Sequence, residues 1–139
     1  MSSNTEAPGS STMKVGLACA KTPLYLKGRR SFFQYRDLLV SEASNGRMRA
    51  QVATAIEGMT QPTGWHYHVC EGQLVYTTRG WADLQFNDQR IRLEAGDSIF
   101  IPGGVPHNEI ATSTDFEYIE VSVPAEMGTV ACDPPAGLA

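Results

Sequence analysis

The sequence has little of what several common protein classes require. Its 139 residues include three cysteines, an odd number at wide spacings that does not support a disulfide framework, so we expect reduced thiols. Eleven basic residues against 15 acidic ones give a net charge of -4, which does not suit binding to nucleic acid or anionic membranes. No apolar run approaches the roughly 20 residues of a membrane-spanning helix. We therefore expect a small cytoplasmic protein.

Histidine is also scarce: two of its three copies are close together, and the third comes from a distant segment. In an extended strand, His66 and His68 project from the same face about 7 Å apart. His107 follows the turn-rich segment 101–106. Three isolated, hydrogen-bonded histidines are the alternative, but three imidazoles within one framework favour a shared metal ion.

Strand patterns punctuated by turns dominate the rest of the chain, and no long helix is predicted. Asn45-Gly46 is the stronger hairpin signal, joining 38–40 to 47–52, and Asn87-Asp88 is the weaker one. Many short strands in a chain of this length predict one all-β domain, a sandwich or a closed barrel. The predicted strands are Phe32–Val40, Arg47–Ile56, Gly64–His68, Gln73–Thr78, Ala82–Phe86, Gln89–Leu93, Ser98–Ile101 and Phe116–Val123.

Two spaced motifs in the middle of the chain resemble those of the cupin superfamily. The first runs from His66-x-His68 through Gln73 to Gly80, and the second comprises Gly96, Pro102, Gly104 and His107. The resemblance implies a small RmlC-like cupin barrel, a double-stranded β-helix or jelly roll. It places the barrel at 30–125, a partly disordered arm at 1–29 and a tail at 126–139. It further implies one divalent transition metal bound by His66, His68, Gln73 and His107.

Gln73 is a departure, because cupins usually have a glutamate there. Three neutral imidazoles and a carboxamide would leave the full charge of plus two on the metal, making it a stronger Lewis acid. Glu71 and Cys70 are alternative ligands, but only Gln73 has the matching spacing. The donor set suits zinc, nickel, iron, manganese or cobalt. The other departure, Ala111 in place of an asparagine, is expected to affect a corner hydrogen bond.

The last predicted strand offers a second chemical group, Glu120. One strand face carries Phe116, Tyr118, Glu120 and Ser122, and the other is largely aliphatic. If the mixed face lines the cavity, Glu120 is a carboxylate tuned for acid or base catalysis; the opposite parity leaves it on the surface. The uronate-linearising cupins of pectin breakdown are similar in their His, His, Gln, His set and in an acidic residue here, but Ser122 stands where they have an aromatic.

These features support three hypotheses for function. The first is an enzyme that uses Lewis-acid catalysis on a small oxygen-rich or carbonyl-bearing metabolite, as an isomerase, cyclase or lyase, with Glu120 moving a proton. The second is a non-haem iron dioxygenase of a dihydroxyaromatic or diketone. The third is a non-catalytic barrel that binds or senses a small ligand. Phe100 and Phe116 are candidates for an apolar wall, and exposed apolar faces predict a homodimer.

Overall fold

The protein is an all-β chain, as predicted. The computed structural model describes residues 13–59 and 61–137, so residues 1–12 of the partly disordered arm predicted at 1–29 lie outside the described residues. One four-residue helix, α1 (Val40–Ala43), accompanies eleven strands in the described part. They are β1 (Leu24–Leu26), β2 (Phe33–Asp37), β3 (Arg49–Ala55), β4 (His66–Val69), β5 (Gly72–Arg79), β6 (Trp81–Phe86), β7 (Gln89–Glu94), β8 (Ser98–Pro102), β9 (Asn108–Thr112), β10 (Glu117–Val123) and β11 (Gly128–Ala131).

The strands form three antiparallel sheets in a jelly-roll arrangement. The largest has the order β1-β2-β3-β10-β5-β8, the second is β7-β6-β9, and the third pairs β11 with β4. Some neighbours in the large sheet are distant in sequence, since β10 pairs with both β3 and β5. The predicted site residues lie on β4, β5 and β10 and, for His107, directly before β9.

All eight predicted strands are present, with ends shifted by a few residues. The Asn87-Asp88 turn joins β6 to β7, and Asn87 takes a positive φ of 50° there. For the hairpin predicted at Asn45-Gly46, the prediction of a first strand at 38–40 is wrong, because β2 ends at Asp37 and α1 follows. The side chain of Asp37 accepts a hydrogen bond from the backbone amide of Leu39, which turns the chain out of the sheet.

Three strands were not predicted. The short strands β1 and β11 are fully exposed, so they lack the alternating apolar pattern that identifies a half-buried strand. β9 pairs with β6 across an irregular register, which also disturbs its alternation. No helix among the described residues is long and apolar enough to cross a membrane.

The core lies between the large sheet and the β7-β6-β9 sheet. Alternate residues of the strands point into it, so that Val75 on β5 packs with Leu84 on β6 and Leu93 on β7. Phe33 and Phe116 pack at one end with their ring centroids 6.2 Å apart. Phe116 thus places an aromatic ring directly before β10, whose inner face carries Tyr118, Glu120 and Ser122.

Candidate metal centre

The three histidines meet at one buried point, as the motif spacing predicted. His66 and His68 lie on β4, and a backbone bridge between His66 and His107 brings in the third ring through hydrogen bonds of 3.0 and 2.9 Å. The ring centroids are 4.5 to 5.2 Å apart. The three residues are 1 to 3% exposed, and one nitrogen from each ring lies within 4.8 Å of the others.

Hydrogen bonds on the far side of each ring set its orientation. Nδ1 of His66 lies 2.8 Å from the carbonyl oxygen of Gly64, and Nδ1 of His107 lies 3.0 Å from that of Val105. A carbonyl only accepts, so both Nδ1 atoms carry the proton and both Nε2 atoms present lone pairs. Nε2 of His66 and Nε2 of His68 are buried without a hydrogen-bond partner among the described residues. Metal-ligating imidazoles are commonly oriented in this way.

Electrostatics at the site also favour neutral imidazoles. Burial lowers the pKa of His68 to about 3, with Arg29 and the two other histidines contributing in the same direction. Burial likewise lowers the pKa of His107. Neutral rings are the form that binds a metal at physiological pH.

Gln73 lies at the same cavity, on β5. The residue is 5% exposed, and its Oε1 has no hydrogen-bond partner among the described residues. A buried amide oxygen without a donor is costly, whereas a cation would satisfy it. Glu71 and Cys70 do not line the cavity wall described here, and burial raises the pKa of the Cys70 thiol, which disfavours its thiolate.

Glu109 is a member of the site that sequence reasoning missed. Its Oε2 lies 2.9 Å from Nε2 of His66 and 3.8 Å from Nε2 of His107, although the first contact lacks the alignment of a hydrogen bond. Burial would raise the pKa of Glu109, but His66, Arg29 and His107 outweigh it and lower the pKa to about 2. The spacing was informative, since residues two apart in an extended segment share a face, and His107-x-Glu109 repeats the spacing of His66-x-His68.

Glu120 points inwards, which decides between the two parities left open by the sequence. It is 5% exposed, and its Oε1 accepts hydrogen bonds from Nη2 of Arg49 at 3.1 Å and Nε2 of Gln51 at 2.9 Å. Burial raises the pKa of Glu120 against the opposing effect of Arg49. Oε2 has no hydrogen bond from any described residue, so this oxygen is free to contact a ligand.

The cavity in front of these groups is small, about 50 Å³. Phe116 is part of its apolar wall, as predicted, but Phe100 is 62% exposed and the prediction for it was wrong. Phe100 lies opposite Leu74 in the register of β8 and β5, and this pair occupies the outer face. The polar part of the wall is formed by Arg29, His68, Gln73, His107, Glu109, Thr112, Tyr118 and Glu120.

Thr129 on β11 orients the second histidine. Its Oγ1 lies 3.0 Å from Nδ1 of His68 and accepts a hydrogen bond of 3.3 Å from Nη1 of Arg29. The β11-β4 register places Thr129 directly opposite His68. A strand inside the segment predicted to be a tail therefore contacts the site.

We expect Thr129→Val to weaken metal binding about tenfold to a hundredfold, because the nearly isosteric side chain cannot accept the proton of Nδ1. Competition with a chromophoric chelator measures the effect. Thr129→Ser keeps the hydroxyl and is expected to bind metal like the wild type. Equal affinities for Val and Ser would contradict this orienting role.

Comparison with known proteins agrees with this geometry. Residues 55–122 match the family described as Cupin domain. The chain contains a cupin domain. No curated protein matches its sequence significantly. Solved structures similar to this cupin include KdgF from Halomonas sp., at 17% identity and a TM-score of 0.62, covering 81% of this chain and 96% of that one.

Two further structures resemble this cupin in fold. An RmlC-like cupin from Shewanella frigidimarina has 18% identity and a TM-score of 0.62, covering 83% of this chain and 96% of the other. Streptomyces Pac13, solved with uridine, has 12% identity and a TM-score of 0.59, covering 84% and 91%. At these identities the likeness concerns the fold.

Proposed function

We propose that this cupin is a metal-dependent enzyme that acts by Lewis-acid catalysis on a small oxygen-rich or carbonyl-bearing metabolite. The observation that carries the proposal is the convergence of three buried imidazoles with a buried, unpartnered amide oxygen at one cavity. His66, His68, His107 and Gln73 would hold one divalent transition metal, with zinc, nickel, iron, manganese and cobalt all suited to the donors. When bound, the ion supplies a Lewis acid that polarises a carbonyl or carboxylate oxygen.

Glu109 changes the charge expected at this site. The sequence predicted an entirely neutral donor set, but a carboxylate lies against two of the imidazoles. Its lowered pKa means that it is ionised at neutral pH. In our proposal Glu109, which lies on β9, offsets one positive charge of the ion. It takes the place of the glutamate that the first motif lacks at Gln73.

Glu120 is the proton-transferring group in this proposal. Oε1 is held by Arg49 and Gln51 while Oε2 remains available, so the carboxyl group has a defined orientation. Its raised pKa makes it a better general acid near neutral pH than an exposed glutamate. Phe116 and the surrounding apolar wall exclude water from the transfer.

Turnover tests the proposal directly. The metal-loaded protein is mixed in deuterium oxide with a panel of small keto acids and sugars, and NMR follows isotope exchange or conversion next to the carbonyl group. We expect one class to react and Glu120→Gln to slow it roughly 10² to 10⁴-fold while retaining the metal. Tight binding without exchange would support a sensing barrel instead. Oxygen uptake that requires ferrous iron would support the dioxygenase.

The raised pKa of Glu120 also predicts a pH-dependent stability that needs no substrate. Below about pH 4 both folded and unfolded chains carry the neutral carboxyl group, so Glu120→Gln and wild type should be similarly stable. As pH rises through the folded-state pKa, only the wild type loses stability, because its buried carboxylate must ionise. We expect the variant to gain unfolding free energy relative to the wild type between low pH and pH 8, measured by denaturant titration. A constant difference across pH would contradict the assignment.

We propose further that the protein is a homodimer. Leu74, Tyr76 and Phe100 are 42%, 44% and 62% exposed and lie together on the outer face of β5 and β8. A contiguous apolar face of this kind favours association. Light scattering should give twice the chain mass for wild type and Ile56→Glu, and a monomer for Phe100→Glu. A monomeric wild type at all concentrations would contradict it.

A further inference from the structure

A second, larger cavity adjoins the metal cavity. Its volume is about 320 Å³, against about 50 Å³ for the cavity beside the histidines. Three side chains, those of Arg29, Tyr118 and Glu120, line both. Only these three side chains would therefore separate a ligand in the larger cavity from the candidate metal centre.

The larger cavity carries an excess of positive charge. Lys27, Arg29 and Arg49 line it, and the only acidic residue in its wall is Glu120. Glu120 pairs with Arg49, whereas no described carboxylate lies within 4.0 Å of the Lys27 or Arg29 charge. Among the described residues, neither Lys27 nor Arg29 therefore forms an ion pair, although Arg29 is near enough to Glu109 to lower its pKa. This local excess of basic groups stands in a chain whose net charge is -4.

The two arginines of the larger cavity are held in place. Nη2 of Arg49 donates a hydrogen bond of 3.1 Å to Oε1 of Glu120. Arg29 donates one hydrogen bond to Thr129, which holds its guanidinium group at the boundary between the two cavities. Arginine donors that are fixed in this way suit the oxygens of a carboxylate or phosphate.

The remaining wall strengthens such an interaction. Leu26, Tyr35 and Met127 supply apolar surface beside the basic groups. Low-polarity walls reduce the screening of a bound anion by water. The size difference also matters, because the small inner cavity accommodates a reacting oxygen and its neighbours, while the bulk of a metabolite needs the outer one.

We infer that the outer cavity binds the carboxylate or phosphate group of an anionic metabolite whose reacting carbon enters the metal cavity. This inference rests on the proposed function and narrows its substrate class to small acids and phosphate esters. Lys27 and Arg29 attract and hold the anion, while Arg49 continues to orient Glu120. The substrate would then lie across the shared wall, with Glu120 beside its reacting end.

The test is a heteronuclear NMR titration of the full chain with inorganic phosphate and, separately, with succinate. We expect saturable shifts at residues of the outer cavity with at least one of the two anions, and the stronger binder identifies the group. Lys27→Gln and Arg29→Gln should each weaken binding roughly threefold, and the double variant about tenfold. Lys21→Gln, which removes an exposed charge away from this cavity, is the matched control and should bind like wild type. Added salt should weaken binding in wild type.

Repeating the titration on chelator-treated protein separates this inference from the proposed function. Binding that survives chelation supports the outer site whether or not the metal chemistry is correct. If chelation abolishes binding, the anion binds the metal ion and not the outer cavity, and the inference is overturned. Failure of both anions to bind, or equal binding by wild type and the double variant, would also overturn it. Metal analysis of each variant identifies any that has lost its metal.

Discussion

His66→Ala is expected to purify with less than about a tenth of the metal bound by the wild-type protein. The substitution removes one of three converging imidazoles, and also the partner of Glu109. With only two imidazoles left, the ion forms fewer bonds to the protein and is bound less tightly. Elemental analysis of protein purified without chelators measures both the amount and identity of the metal.

Tyr67→Phe is the matched control for His66→Ala. Tyr67 is the neighbouring residue on β4 and points to the opposite face, so its change tests the strand without touching the ligands. We expect wild-type metal content for Tyr67→Phe. Chelation should lower the melting temperature of Tyr67→Phe and of the wild type, because the ion binds only the folded state. Wild-type protein without metal after reconstitution would contradict the proposed centre.

Gly103→Ala is expected to destabilise the fold by about 3 kcal/mol or more. A Cβ at this position would overlap the backbone carbonyl group of Cys70, and backbone atoms cannot rotate away as a side chain can. Gly103 also donates a hydrogen bond to the carbonyl oxygen of Glu71, while Gly104, with φ of 83°, donates one to that of His68. Forcing this corner outward therefore moves the segment that carries His107.

Gly72→Ala provides the comparison, and denaturant unfolding measures both variants. Its Cβ would meet the ring of Phe100, which is exposed and able to swing outwards. We expect a cost below about 1 kcal/mol, within the range of mild substitutions. Similar losses for the two alanine variants would show that the close approach to Cys70 does not constrain the corner. Metal content should fall in Gly103→Ala and remain normal in Gly72→Ala.

The pairing of His66 with His68 could be predicted because its geometry is local and needs only an extended strand. The arrival of His107 depends on a long-range backbone bridge to His66, and it was predicted from the resemblance of the two motifs to those of cupins. The inward face of β10 was not decidable from its own pattern, since one face is mixed and the other aliphatic. Its pairing with β3 and β5 decides the matter, and that pairing depends on residues 38 to 73 positions away.

Glu109 and Thr129 show two different limits of sequence reasoning. The signal for Glu109 was available in its spacing from His107, but the first motif directed attention to Gln73 instead. Thr129 offered no signal of its own, because β11 is short, exposed and paired with a strand about 60 residues earlier. Only the assembled sheet shows that its hydroxyl group meets a ligand ring.

The late position of β11 gives the centre an order of assembly during synthesis. A nascent chain translated through β10 already contains all three imidazoles, Gln73, Glu109 and Glu120. Nδ1 of His68 nevertheless has no hydroxyl partner until residue 129 has left the ribosome and paired with β4. In the proposed metal centre, full affinity would therefore develop only after β11 has paired with β4.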